Sequence, residues 1–278
     1  MTLEEKMEKV KDLRPIDDVF FEVLAADKAV CEEMLRTILE EPQLIVEDVV
    51  VQSSERNLYG RSVRLDALCR LGDGRLANVE VQRSDNDDHL KRARFNSASI
   101  TVKESTTGDD FSRIPEVIIV YISEFDFLQE GKTTYHVDKI LRETGTVIDD
   151  GEHEIFVNTA VNDNTDISDL MSCFTKKHFA DPKFPALTSR VNDLKTTEGG
   201  TRAVCEVMQH YENIARQEGL AAGLSQGLEK GRTEGRTEGE EKKARETAVR
   251  MRAEGMSLDL IAKIVDVPCQ TVSMWLKL

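Results

Sequence analysis

Between Arg61 and Gln82 the chain reads RSVRLDALCRLGDGRLANVEVQ. From Arg61 to Leu71, Val63, Leu65, Ala67 and Cys69 alternate with Arg64, Asp66, Leu68 and Arg70. From Leu76 to Gln82, Ala77, Val79 and Val81 alternate with Asn78, Glu80 and Gln82. Period-two alternation predicts two strands, and Gly72-Asp73-Gly74 between them predicts a hairpin. Loop length decides what the hairpin builds. A two-residue loop would set Asp66 opposite Val81, on the wrong face. A three-residue loop pairs Leu71 with Arg75 and therefore Asp66 with Glu80. Such loops commonly end on a residue in the left-handed region, and Gly74 is suited to that place. Both carboxylates then share one face, about 5 Å apart at the backbone. Gln82 lies beside Glu80 on that face.

Two carboxylates on otherwise apolar strands are costly unless something neutralises them. A divalent cation would do so. Magnesium suits oxygen ligands with few protein contacts, because it keeps several waters and borrows ligands from a phosphate. An ion here would activate a water and stabilise charge on a leaving phosphate oxygen, with Gln82 placed to orient the attacking water. Arg83 at the hairpin exit and Lys91, Arg92 and Arg94 just beyond are candidates for phosphate contacts. The plainer alternatives are charged residues on the solvent side of a hairpin and a solvated helical face.

Upstream, the apolar positions of Asp17 to Leu39 predict an amphipathic helix with a break near Ala26-Asp27, closed by Pro42. Leu44 to Gln52 is β-branched and apolar, a strand. Downstream, Asp87 to Glu104 reads as a helix and Val117 to Ile122 as a buried strand. Tyr135 to Leu141 and Glu154 to Thr159 read as short strands, with Asp150-Gly151 as a turn. Asp166 to Gln217 reads as helices separated by a loop holding Pro182 and Pro185.

The charge is −15, so any nucleic-acid surface must be a local basic patch. The five cysteines form no CxxC pair and the five histidines no ligand spacing. Reduced thiols and packing or surface histidines are expected. The charged start lacks a signal-peptide core, and the best apolar run, Ile114 to Ile122, is too short for a bilayer. A cytoplasmic protein with no membrane segment follows.

Glycine recurs every four residues from Gly219 to Gly239. A period of four drifts about 40° per step around a helix, so these glycines do not hold one face. Each costs up to about 1 kcal/mol relative to Ala. A marginal helix or pliable linker is expected; a self-associating helix, making a homo-oligomer through the C-terminal segment, is the alternative. The end of the chain reads as a helix-turn-helix, with Ser257 as N-cap, Ala262 where two helices cross and Pro268 in the first turn of the second helix. Its DNA readers would be Gln270, Thr271 and Ser273. A helical hairpin closing the domain or binding a partner is the alternative.

Taken together, Asp17-Asp18-Val19-Phe20-Phe21, Arg64-Leu65-Asp66, Asn78-Val79-Glu80-Val81-Gln82, Lys91-Arg92-Ala93-Arg94-Phe95 and Ile114-Pro115-Glu116-Val117-Ile118-Ile119 resemble the PD-(D/E)XK nuclease core. More narrowly, they are similar to the Rpn family of recombination-promoting nucleases, often labelled putative transposases. The resemblance continues through Val157-Asn158 and the Gly-rich tail. It implies an α/β fold with a mixed sheet, a restriction-endonuclease-like core with a helical C-terminal extension. It also implies Mg2+-dependent DNA cleavage with one or two ions. Asp66 and Glu80 would be metal ligands, with the Val81 carbonyl as a further one. Gln82 stands where the superfamily carries Lys, and Phe21 where the narrower family usually carries Lys in the first helix. Asp18 or Glu22 is the helix-borne acid on offer, although ordinary exposure favours a surface role for Glu22.

The expected layout is a nuclease core over residues 1–128, an extension packed on it over 129–217, a Gly-repeat linker or helix over 218–241 and the helix-turn-helix-like segment over 242–278. A DNA endonuclease is the leading expectation. A catalytically weak DNA-binding or regulatory protein of the same fold is the second, and an oligomeriser acting through the Gly tail the third.

Overall fold

Asp27 divides the first apolar-periodic stretch into two helices, accepting from the Ala29 N–H at 3.0 Å and so capping the second. The computed structural model describes residues 2–55, 63–85, 88–105, 108 and 110–277. The predicted helix start at Asp87 lies outside them. The helices are α1 (Leu3–Asp12), α2 (Asp18–Ala25), α3 (Lys28–Ile38), α4 (His89–Glu104), α5 (Asp166–Phe174), α6 (Pro185–Thr196), α7 (Glu198–Ala253), α8 (Leu258–Val265) and α9 (Cys269–Leu276). The strands are β1 (Val46–Glu55), β2 (Val63–Leu71), β3 (Leu76–Gln82), β4 (Val117–Ser123), β5 (Thr134–Val137), β6 (Lys139–Leu141), β7 (Thr146–Ile148) and β8 (Glu152–Asn158).

Six strands form one mixed sheet in the order β1-β2-β3-β4-β8-β5. β1, β2 and β3 run antiparallel in turn; β4 lies parallel to both β3 and β8; β5 closes the far edge antiparallel to β8. The apolar run of β4 is buried along its whole length, as expected of a parallel strand covered on both faces. One face of the sheet packs on α2, α3, α5, α6 and the start of α7, with Phe20, Phe21, Met34 and Leu170 among the buried side chains. The other packs on α4 through Leu68, Leu76, Ala93, Ile100, Ile119 and Tyr121. The expected mixed α/β fold with a helical C-terminal extension is what the chain adopts.

Several expectations are corrected. Leu65 packs with Leu68 and Leu76 on the α4 side, whereas Ala67, Cys69 and Leu71 pack on the opposite side. The predicted alternation therefore breaks between Leu65 and Ala67, around Asp66. Gln52, on β1 at the step facing Asp66, takes a left-handed φ of 53°. Tyr135 to Leu141 is two strands: β5 joins the main sheet, and β6 pairs with β7 in a separate hairpin. Pro185 is not in a loop but opens α6, where its missing N–H removes no helical hydrogen bond.

Contacts divide the chain into two units, Met1–Tyr211 and Glu212–Leu278. Helix α7 begins in the first and ends in the second, and residues 219–239 are helical throughout. A Cβ at Gly219, Gly223, Gly227, Gly231, Gly235 or Gly239 would meet nothing within 4 Å, so no close approach within this chain requires glycine there. In the second unit Ala248, Ile261, Ala262 and Val272 form a small core joining the end of α7 to α8 and α9. Ser257 occupies the N-cap of α8 but its side chain makes no capping hydrogen bond. Pro268 precedes α9 rather than sitting inside its first turn, and its carbonyl accepts from Thr271 and Val272. No described helix is long and apolar enough to cross a membrane.

Candidate active site

The turn of the hairpin sets the site. Leu71 N–H donates to the Arg75 carbonyl at 2.9 Å, Gly74 N–H to the Leu71 carbonyl at 2.9 Å, and Gly74 takes a φ of +93°. This is the three-residue loop with its left-handed closing glycine. The resulting register runs Arg70↔Leu76 to Ala67↔Val79 and stops there. One further step sets Asp66 opposite Glu80. On either side the pairing goes on, to Glu55↔Val63 between β1 and β2 and to Gln82↔Ser123 between β3 and β4. The two strands thus part from each other at the two carboxylates.

Carboxylate oxygens fill the opening in place of ladder carbonyls. Val81 N–H donates to Asp66 Oδ2 at 3.1 Å, and Asp66 N–H to Glu80 Oε1 at 3.3 Å. Asn78, two residues along on the same face as Glu80, donates its amide to Glu80 Oε1 at 2.9 Å. Glu80 is only 6% exposed. Burial pushes the Asp66 carboxyl up to about 6, and the nearby charge of Asp18 adds to this, against the Val81 N–H, Glu80 and Arg64. Burial and then the Asp66 charge push Glu80 well above the usual carboxylate range. Two acids this close in a low-dielectric setting do not both ionise at ordinary cost.

These donors fit a hard divalent cation. No group of three or more His, Cys, Asp and Glu is placed to hold a metal among the described residues. Magnesium, however, binds through one or two carboxylates and completes its shell with water and phosphate. Asp66 and Glu80 supply two such carboxylates, in a site that disfavours their joint charge. In an extended strand a residue's N–H and carbonyl leave by the same edge, which puts the Val81 carbonyl on the β2 side of β3.

The other predicted site residues are distributed unevenly. Gln82 donates its amide to the Ser84 carbonyl at 2.7 Å, holding the side chain against its own strand exit. Arg83 pairs with Asp17 at 2.8 Å and Glu124 at 3.3 Å, and Arg14 bridges the same two acids. Arg92 lies 3.7 Å from Asp88, and its charge reaches Tyr121, which stands opposite Glu80 on β4. Lys91 and Arg94 instead line a groove of about 290 Å³ with Lys139, Glu152 and Glu154, a groove that neither Asp66 nor Glu80 lines. In the second unit Gln270 is exposed, and Thr271 and Ser273 are half-buried on α9.

Glu22 is not a surface acid. Its side chain is 14% exposed and lies 3.9 Å from Arg64, and burial raises its pKa. Phe21 is wholly buried and packs against Phe174. The expectation of packing histidines holds at His89, which is 4% exposed and bonds the Tyr121 hydroxyl at 3.0 Å. Sequence reasoning missed three neighbours of the carboxylates. Asn78 was open to inference from its two-residue spacing to Glu80. Gln52 and Tyr211 carried no such signal, being joined to the site only by the fold.

A family model described as PD-(D/E)XK nuclease family transposase matches residues 16–160, just over half of the chain. That span runs from the start of α2 to the end of the central sheet and contains both carboxylates. No curated protein and no solved structure gives a match.

Proposed function

We propose that this chain, which belongs to the PD-(D/E)XK nuclease family transposases, hydrolyses DNA phosphodiester bonds at Asp66 and Glu80 with one or two Mg2+ ions. The observation that carries this reading is the carboxylate pair where β2 and β3 separate, its joint charge opposed by burial. Asp66 and Glu80 hold the ion, with the Val81 carbonyl as a further oxygen donor. When bound, Mg2+ supplies positive charge at the phosphate oxygens and acidifies water. Gln82 orients the attacking water through its amide. Arg92 and Arg83 contact the DNA backbone beside the carboxylates, Lys91 and Arg94 contact it farther off, and α9 reads bases through Gln270, Thr271 and Ser273. Recombination follows from the breaks such an enzyme makes. The test is Mg2+-dependent cleavage of supercoiled and linear DNA by wild type, Asp66→Ala and Glu80→Ala, each checked for folding; equal cutting by all three sinks the assignment.

One observation favours a second reading. Gln82 brings no positive charge to a developing oxyanion, and its amide is already engaged by the Ser84 carbonyl. A catalytically weak DNA-binding or regulatory protein that keeps the nuclease fold would show metal and DNA binding with no cutting.

A further inference from the structure

Beside the carboxylates, three elements meet around one guanidinium. Arg64 stands on β2 two residues before Asp66, and its positive charge favours the ionised Asp66. Its guanidinium lies over the ring of Tyr211, 5.2 Å from the centroid, within the range of a cation–π contact. Glu22 on α2 is 3.9 Å away, too far to accept a hydrogen bond. The Arg64 side chain keeps 36% of its surface in solvent. Tyr211, from α7, is fixed in turn: its hydroxyl accepts from Gln52 Nε2 at 3.2 Å and interacts with the Glu22 carboxyl. Gln52 is the β1 residue with the left-handed φ.

Two buried acceptors in this cluster, Glu22 Oε2 and Gln52 Oε1, have no hydrogen-bond partner among the described residues. A phosphodiester offers only acceptors and cannot satisfy them, so the guanidinium is the group that would meet it. A guanidinium stacked on a ring is flat, oriented and weakly hydrated, and presents its N–H edge to a phosphate in bidentate fashion. Lysine on the same stem would be a mobile point charge.

We infer that Arg64 is the arm that receives a DNA backbone phosphate next to Asp66, and that Tyr211 is its positioning residue. This rests on the nuclease reading for the identity of the ligand. It brings α7 into the site from outside the family-matched residues 16–160. Arg64 contacts the phosphate; Tyr211 acts through Arg64 alone, by holding the guanidinium with its ring while Gln52 and Glu22 hold its hydroxyl.

The test is binding of the full chain to a 20-base-pair duplex in EDTA across a salt series, beside cleavage kinetics in Mg2+. Arg64→Ala should weaken binding about tenfold and reduce the slope of log K against log salt by about 0.9, the value for one phosphate contact on duplex DNA. Arg64→Lys should restore the slope and less than the full affinity. Tyr211→Leu, which frees the guanidinium but keeps its charge, should lower affinity as Arg64→Lys does while retaining the slope, and add nothing to Arg64→Ala in the double variant. Tyr211→Phe, which keeps the ring, should retain both the slope and the affinity. In cleavage, Arg64→Ala should raise KM more than it lowers kcat. An unchanged slope in a folded Arg64→Ala, or no salt-dependent binding by wild type, overturns the arm. Tyr211→Phe as damaging to affinity as Tyr211→Leu overturns the positioning role, and should Tyr211→Leu not fold, loss of affinity in a folded Tyr211→Phe does so alone. Wild type that binds with the expected slopes and cuts nothing overturns the nuclease reading and leaves the arm standing.

Discussion

The Val81 N–H donates to Asp66 Oδ2 across the point where β2 and β3 separate, at 3.1 Å. In a continued ladder that N–H would meet a β2 backbone carbonyl. Here it meets the side chain of the residue proposed as a metal ligand. The hairpin thus gives up backbone pairing to fix the Asp66 carboxylate, and the Val81 N–H also favours its ionised form. Burial works against that charge, and a cation would relieve the conflict.

The pH dependence of stability follows from the same conflict. Asp66 has a folded pKa of about 6, above the ordinary carboxylate range, and Glu80 is also raised. The folded state therefore holds protons that the unfolded state releases. The stabilisation from this is complete below about pH 4 and is lost as pH rises through about 6. In EDTA, the wild-type melting temperature should fall between pH 5 and pH 8 relative to the double variant Asp66→Asn/Glu80→Gln, by the equivalent of on the order of 2 kcal/mol. Parallel curves for the two proteins would show that the pair is not under charge strain.

Asn78 is wholly buried and gives its amide hydrogen to Glu80. Asn78→Ala should destabilise the fold by roughly 1–3 kcal/mol, the cost of leaving a buried polar partner unsatisfied. It should also lower the DNA-cleavage rate by misplacing Glu80. Denaturant unfolding read beside single-turnover cleavage separates the two effects. A variant of wild-type stability and rate would remove Asn78 from the site.

Two glycines of one helix should respond oppositely to a methyl group. At Gly227 an added Cβ meets nothing within 4 Å, so Gly227→Ala should stabilise α7 by up to about 1 kcal/mol. At Gly200 the Cβ would come 2.4 Å from the Asp193 carbonyl oxygen and 2.7 Å from Leu194 Cα. Gly200→Ala should therefore cost about 1–3 kcal/mol or more, because backbone cannot move aside cheaply. Thermal unfolding followed by circular dichroism reads both, and a Gly227→Ala that lowers stability would point to a contact outside this chain.

The parts legible in the sequence are those fixed by local chemistry. The Gly74 turn set the register that joins Asp66 to Glu80, and Asp27 marked the break between α2 and α3, because a turn residue and a cap each act within a few positions. The unbroken apolar run of β4 declared its own burial. Leu65 was misplaced because alternation presumes a regular ladder, and the ladder ends at Ala67. Propensity argued against a stable helix through Gly219 to Gly239, yet α7 runs through them, extended from an apolar start at Val204 and Met208 that packs on the core. Tyr211 lies 145 positions beyond Asp66, and no spacing rule links residues so far apart. Only the fold, which sets Tyr211 of α7 beside Arg64 of β2 and Gln52 of β1, brings them together.

Cleavage by shape-preserving variants tests the central assignment most directly. Wild type, Asp66→Asn and Glu80→Gln would be compared on supercoiled DNA with Mg2+ and with EDTA. Each substitution removes the carboxylate and keeps the side-chain volume that holds β2 and β3 in place. Cutting by wild type in Mg2+, absent in EDTA and reduced at least a hundredfold in both variants, is the expected result. Cutting that persists in either folded variant would contradict a hydrolytic site at Asp66 and Glu80.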